Sequence, residues 1–155
     1  LDRFLACCEA YDIKPFILFN KMDLLSEEEA EIVENIKALY ENICYSTLEI
    51  SSYSKLNLEK LTELIKDKTT VFFGHSGSGK STLVNALQPG LDLKTSEISE
   101  FHNKGKHTTT FAQMHFWHFG GNVIDTPGVR EFAMIDVKKE EIQHFFPEIF
   151  FNFFA

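Results

Sequence analysis

Residues 74–81 read Gly74-His75-Ser76-Gly77-Ser78-Gly79-Lys80-Ser81, which fits the pattern GxxxxGK[ST] without a mismatch. In that pattern backbone N–H groups wrap a polyphosphate, so the loop needs residues that tolerate unusual dihedrals and close approach. Lys80 is spaced to reach the β- and γ-phosphates, and the Ser81 hydroxyl is placed to ligate Mg²⁺. Asn20-Lys21-Met22-Asp23 suits a different task. The Asp23 carboxylate accepts from the two N–H donors of guanine, a pair adenine does not present. The Lys21 stem lies along the base, and Asn20 ties the motif to the phosphate loop. Asp125-Thr126-Pro127-Gly128 fits DxxG, where the aspartate holds Mg²⁺ through water and the glycine N–H binds a γ-phosphate. Each motif has a plain reading as well: a Gly/Ser-rich turn for 74–81, a turn for the Asp-Thr-Pro-Gly run. Together, each at the end of an expected strand, they point to one guanine-nucleotide site.

The elements that must position these residues are legible from periodicity. Residues 69–73 form an apolar, β-branched run before the phosphate loop, and residues 81–87 a helical pattern after it. Strand, loop and helix in that order put phosphate at a helix N-terminus. Upstream, residues 1–11 carry a helical stripe, and residues 15–19 a short apolar run that reads as a buried parallel strand. Ser26 caps an acidic first turn, Glu27-Glu28-Glu29, and Ile32, Val33, Ile36, Leu39 and Tyr40 continue a helical face. Residues 44–50 read as a strand ending at Ser51-Ser52, and residues 56–65 as a further helix. Strands alternating with helices predict an α/β fold, a mostly parallel sheet flanked by helices. Residues 88–109 are polar and long for a loop in a compact domain, which marks them as functional or mobile. Residues 110–119 alternate loosely as a strand, turn at Gly120-Gly121, and return as a second strand over 122–124.

Bulk properties exclude several classes. A chain of 155 residues, 44% apolar and 25% charged, is the size and composition of one soluble globular domain. A formal net charge of −8 argues against a nucleic-acid-binding surface on this segment by itself. Cys7, Cys8 and Cys44 lack CxxC spacing, so zinc is not expected here, and they read as buried, reduced structural thiols. His115 and His118 are expected to pack against aromatic neighbours rather than bind metal. No signal peptide and no membrane-spanning run is expected. A helical opening at Leu1 suggests a piece of a longer chain. The aromatic run at Phe145, Phe146, Phe150, Phe151, Phe153 and Phe154 is expected to pack on a surface supplied from outside these residues.

Ras-like GTPases carry the same motifs in the order phosphate loop, switch threonine, DxxG, NKxD and a short Ser-Ala-type motif. Here NKxD and Ser51-Ser52 come first, and the phosphate loop, Thr108-Thr109-Thr110 and DxxG follow. The order is rotated while the intervals within each group are retained, which is a circular permutation. With His107-Thr108-Thr109-Thr110 and the run from Asp125 to Phe132, the chain resembles the RsgA/YjeQ family of ribosome-biogenesis GTPases over nearly its whole length. The resemblance implies a P-loop GTPase domain over 1–145 and a segment, 146–155, leading towards a zinc-binding module outside these residues. It also implies an N-terminal OB-type barrel that is not among them. Asn20, Lys21, Met22 and Asp23 would read guanine, with Ser51 and Ser52 in support. Gly74, His75, Ser76, Gly77, Ser78, Gly79, Lys80, Ser81 and Thr82 would hold the phosphates. Ser81 would ligate Mg²⁺ with Thr109, for which Thr108 competes, and Asp125 would act through water. Lys80, Thr109 and Gly128 would act on the reacting phosphate.

The implied protein is a cytoplasmic, monomeric GTPase that converts GTP to GDP and phosphate. Its partners would be the small ribosomal subunit and its rRNA, engaged mainly through the flanking modules, with no membrane partner. Val129 stands where Ras-like enzymes place the glutamine that orients water, so intrinsic hydrolysis is expected to be slow and partner-stimulated. His107 is a candidate for that role, with a surface-loop histidine as its plainer reading. Three other readings of the chain stand beside this one, the nearest being another ribosome-assembly permuted GTPase. A nucleotide-sensing binding module would hold GDP with little chemistry. An ABC-type ATPase would suit the phosphate loop but needs an LSGGQ-type signature and an acidic Walker B strand, neither of which these residues contain.

Overall fold

The computed structural model describes residues 1–91, 113–125, 142–146 and 149. The chain forms two compact units, one of residues 1–19, 25–48 and 130–155, the other of residues 20–24 and 49–129.

The first unit holds α1 (Asp2–Ala10), β1 (Phe16–Phe19), α2 (Glu27–Asn42), all but the last residue of β2 (Ser46–Glu49) and a 3₁₀ turn at Ile142–Phe145. β1 and β2 pair in a two-stranded sheet. Leu5, Ile17 and Tyr45 are buried together, with Phe19, Tyr40 and Ile43 packed around them. The two tyrosines meet edge to face at 6.4 Å, an arrangement their ring quadrupoles favour. Their hydroxyls are directed to α1 carboxylates, Tyr40 donating to Asp2 at 2.7 Å and Tyr45 to Glu9 at 3.3 Å. The 3₁₀ turn packs on α1. Phe145 and Phe146 are half-buried and line a small cavity with Leu5, Ala6, Tyr40 and Tyr45. These two phenylalanines therefore use the chain's own surface, not one supplied from outside. The rest of the aromatic run lies outside the described residues.

Two local expectations need correction. β2 begins at Ser46, not at residue 44, because Cys44 sits at φ 70°, a left-handed conformation no strand accommodates. Cys44 is also exposed, and Cys8 only half-buried; of the three thiols Cys7 alone is buried. Burial pushes the Cys7 and Cys8 thiols up from their ordinary value, away from reactivity. The expected helix forms as α2 with its Ser26 cap, and no residue of it is fully buried. Its periodicity gives the helix, but Ile32 and Leu39 are 57% and 60% exposed, while Val33 and Tyr40 turn partly inward.

The second unit holds α3 (Leu58–Ile65), β3 (Thr69–Val71), α4 (Lys80–Leu87), β4 (Gln113–Phe116) and β5 (Asn122–Asp125). The strands form one sheet in the order β3-β5-β4. β5 runs parallel to β3, pairing Thr69 with Asn122 and Val71 with Ile124, and antiparallel to β4, pairing Phe116 with Asn122. Leu58, Leu61 and Ile65 of α3 and Leu83, Val84 and Leu87 of α4 are buried, as are Ile50, Trp117 and Val123. The parallel pairing matters for function. It puts the carboxyl ends of β3 and β5 at one edge of the sheet, where α/β folds gather their ligand-binding loops.

Candidate guanine-nucleotide site

Residues 72–79 leave the carboxyl end of β3 and deliver the chain into α4, whose cap is Gly79. Within the turn Ser78 N–H donates to the His75 carbonyl at 3.2 Å, and Leu83 N–H donates to the Gly79 carbonyl at 2.8 Å, starting the helix. The Lys80 ammonium curls back over the turn, donating to the carbonyls of Gly74 at 2.6 Å and His75 at 2.9 Å. Partial burial pushes Lys80 below the ordinary lysine pKa, while two carbonyl acceptors favour its charged form. His75, Ser76, Gly77, Ser78 and Thr82 are exposed; Gly74, Gly79, Lys80 and Ser81 are half-buried.

Asn20, one residue beyond β1, meets this loop. Its Nδ2 donates to the Ser78 carbonyl at 3.0 Å. Its Oδ1 accepts from Lys21 N–H at 2.8 Å, from Ser52 N–H at 3.3 Å and from the Ser52 hydroxyl at 3.2 Å. One side-chain amide thus bridges the Asn-Lys-Met-Asp motif, the Ser52 loop and the phosphate loop. The approach is close. A Cβ on Gly79 would lie 2.5 Å from Asn20 Nδ2, and Gly79 has φ 92°, so steric and dihedral requirements both specify glycine. Lys21 takes φ 68°, and Asp23 is exposed in the 3₁₀ turn Met22–Leu24.

Ser51 and Ser52, adjacent in sequence, do different things. Ser52 engages Asn20, whereas Ser51 is fully buried and its hydroxyl accepts from Ser54 N–H at 2.9 Å, closing its own turn. Two supports of the site carry no motif. Met22 N–H donates to the Ile50 carbonyl at 3.2 Å. Asn57, left-handed at φ 54°, donates from Nδ2 to the Glu49 carbonyl at 2.9 Å. A backbone carbonyl leaves no trace in sequence; the Ser51-to-Ser54 spacing was the available signal for the turn.

Asp125 is the last residue of β5, paired with Gln113, and so stands at the sheet edge from which the phosphate loop departs. His107, Thr108, Thr109, Gly128 and Val129 lie outside the described residues, as does most of the 88–109 loop. Of the two histidines expected to pack, His115 is half-buried and His118 is exposed, its ring edge-on to Phe119 at 5.0 Å.

The family model for the RsgA GTPase matches residues 1–135. The small ribosomal subunit biogenesis GTPase RsgA of Bacteroides fragilis is 49% identical over 150 residues, covering 97% of this chain and 48% of that protein. Its counterpart in Christiangramia forsetii is 47% identical with the same coverage. The chain thus spans about half the length of the curated relatives it matches. Among solved structures, YjeQ from Thermotoga maritima superposes with a TM-score of 0.79 at 35% identity, covering 95% of this chain and 48% of that one. YloQ, described as a circularly permuted GTPase, superposes at 0.70 with 34% identity, covering 96% and 45%. The fold is therefore that of a circularly permuted GTPase, and the rotated motif order read from the sequence is a property of the architecture. With a family match from residue 1 to residue 135, the chain belongs to the RsgA GTPase family.

Proposed function

We propose that residues 1–145 are the guanine-nucleotide-binding, GTP-hydrolysing domain of a cytoplasmic, monomeric switch in small ribosomal subunit maturation. Residues 146–155 lead towards a zinc-binding module, and subunit and rRNA contacts belong mainly to flanking modules. The observation that carries this reading is the Asn20 amide. It joins the residues suited to a guanine base and those suited to phosphates into one site.

In this reading Asp23 accepts from guanine, and Lys21 lies along the base. Ser52 fixes Asn20, while the buried Ser51 shapes the turn from behind. N–H groups of residues 74–82 and the Lys80 ammonium hold the phosphates. Mg²⁺ prefers hard oxygen donors and keeps several waters. The donor set fits it: a hydroxyl at Ser81 in the first turn of α4, and Asp125 at the end of a strand parallel to β3. The family resemblance gives Thr109 or Thr108 the role of completing that set and the Gly128 N–H that of binding the γ-phosphate; all three lie outside the described residues. When bound, the ion neutralises charge on the β- and γ-phosphate oxygens.

Competition binding tests the base assignment. GTP should displace labelled GDP and ATP should not; displacement by ATP at equal concentration would overturn it. Asp23→Asn should shift preference towards xanthosine diphosphate, whose C2 carbonyl accepts where the guanine amino group donates. Val129 favours one rival, a sensor that holds GDP with little chemistry. Single-turnover hydrolysis by the whole protein, with and without small subunits, separates the two: no acceleration by subunits sinks the switch.

A further inference from the structure

Gln88 follows α4 directly, and its backbone N–H closes the helix on the Val84 carbonyl at 2.9 Å. Its side chain plays no part in the nucleotide site described above, yet both of its polar atoms are engaged. Nε2 donates to the Phe116 carbonyl at 3.1 Å, and Oε1 accepts from His118 N–H at 2.9 Å. The C=O of one residue and the N–H of the residue two further on are the pair that the N–H and C=O of a single residue on a neighbouring parallel strand engage. The two polar atoms of the Gln88 amide therefore stand in for the N–H and C=O of a residue on a next strand, at the end of β4, which among the described residues is an edge strand of its sheet.

The hairpin it grips is closely bonded at that point. Trp117, between the two bonded residues, is 4% exposed. Its N–H donates to the Gly121 carbonyl at 3.0 Å and its carbonyl accepts from Gly120 N–H at 3.2 Å. Its indole N–H donates to Thr70 Oγ1 at 3.4 Å, and the Thr70 hydroxyl donates to the Asn122 carbonyl at 3.0 Å. α4 is thus fastened at its last turn to the β4–β5 hairpin, while its first turn carries Lys80 and Ser81. Burial of Leu83, Val84 and Leu87 is non-directional and tolerates a small slide of the helix. Two bonds from one planar amide do not.

We propose that Gln88 is a positioning residue that makes the β4–β5 hairpin move as one body with the phosphate-loop helix, so that nucleotide at the loop is felt along β5. This rests on the nucleotide reading above. The physical basis is that a ligand which stiffens one end of a rigid element also stiffens what is bonded to its other end, and exchange protection reports it. The rival is a purely local role, in which the amide only satisfies open groups on an edge strand.

Hydrogen–deuterium exchange with and without saturating GDP decides between them, in the parent chain, in Gln88→Met and in Gln88→Glu. Met keeps the length and removes both bonds; Glu keeps the acceptor for His118 N–H and loses the donor. In the parent, GDP should slow exchange at residues 74–83 and at 113–124, each by about threefold or more. In Gln88→Met the first protection should persist and the second disappear, with Gln88→Glu in between. The GDP-dependent ratio is the readout, because basal exchange at His118 rises in any variant lacking its acceptor. Unchanged GDP protection of the hairpin in Gln88→Met overturns the proposal. So does a parent in which GDP protects the loop and leaves the hairpin alone, and then the nucleotide reading survives. If GDP protects neither, the nucleotide reading itself has failed. Should Gln88→Met not fold, Gln88→Glu decides by the same ratio: undiminished hairpin protection overturns the proposal, and reduced protection supports it.

Discussion

Asn20 concentrates the interactions of the site. Its Oδ1 accepts from three donors, and the shortest contact, 2.8 Å to Lys21 N–H, lies within its own motif. Its Nδ2 is left for the phosphate loop, and Gly79 is the residue that lets it approach. The glycines of the loop are consequently not equivalent. At Gly77, φ is 80° but nothing lies within 4 Å of an added Cβ; at Gly79, φ is 92° and the Cβ would meet Asn20 Nδ2. Gly77→Ala should cost only the dihedral penalty, about 1 kcal/mol. Gly79→Ala should cost more stability, about 2–3 kcal/mol, and weaken GDP binding by about tenfold beyond Gly77→Ala, because it displaces the bridging amide. Urea unfolding and calorimetric titration of both variants check this; equal GDP affinities would show that the dihedral alone matters.

At the scale of elements, α2 shows how much of its order is local. The Ser26 hydroxyl accepts from Glu29 N–H at 3.3 Å, and Ser26 N–H donates to the Glu29 carboxylate at 2.9 Å. This reciprocal box satisfies donors the helix cannot pair itself. With no fully buried residue on α2, the cap carries unusual weight. Ser26→Ala should cost about 1 kcal/mol and fray the first turn, read by far-UV circular dichroism and unfolding. The backbone N–H of Ser26, then its hydroxyl, hold the Glu29 carboxyl below the ordinary glutamate pKa. A depressed folded pKa gives stability that is present above the unfolded glutamate value and lost as pH falls through the folded one. Helicity should therefore decline in that acid window, and Glu29→Gln should flatten the decline while keeping the box, since glutamine also serves there.

At the scale of the whole molecule, the proposed hydrolysis turns on Val129, which stands where Ras-like enzymes place the glutamine that orients water. Val129 offers no polar atom to orient water, so the unassisted rate is expected to be slow. Val129→Gln should raise it only modestly, because orienting the water is one contribution and stabilising the charge on the transferring phosphate is another. Single-turnover assays of the whole protein check this: an unassisted Val129→Gln rate equal to the subunit-stimulated parent rate would remove the need for a partner. The rotated order also places the DxxG motif after the Asn-Lys-Met-Asp motif, with β5 as its lead-in strand.

The sequence by itself determined the motifs, their rotated order and the permuted GTPase fold. Motif spacing is dictated by ligand geometry, so a GxxxxGK[ST] loop, an Asn-Lys-x-Asp motif and their inverted order are readable without coordinates. Helix and strand positions followed from periodicity, as with the Ser26 cap and the run before the phosphate loop. Tertiary structure decided what depends on partners distant in sequence. It separated buried Ser51 from Ser52 on Asn20, left Ile32 and Leu39 in solvent, exposed Cys44 and started its expected strand two residues later, and set Gln88 against Phe116 and His118. Local patterns record which atoms a residue offers. Which of those atoms find partners is fixed only when separate segments meet.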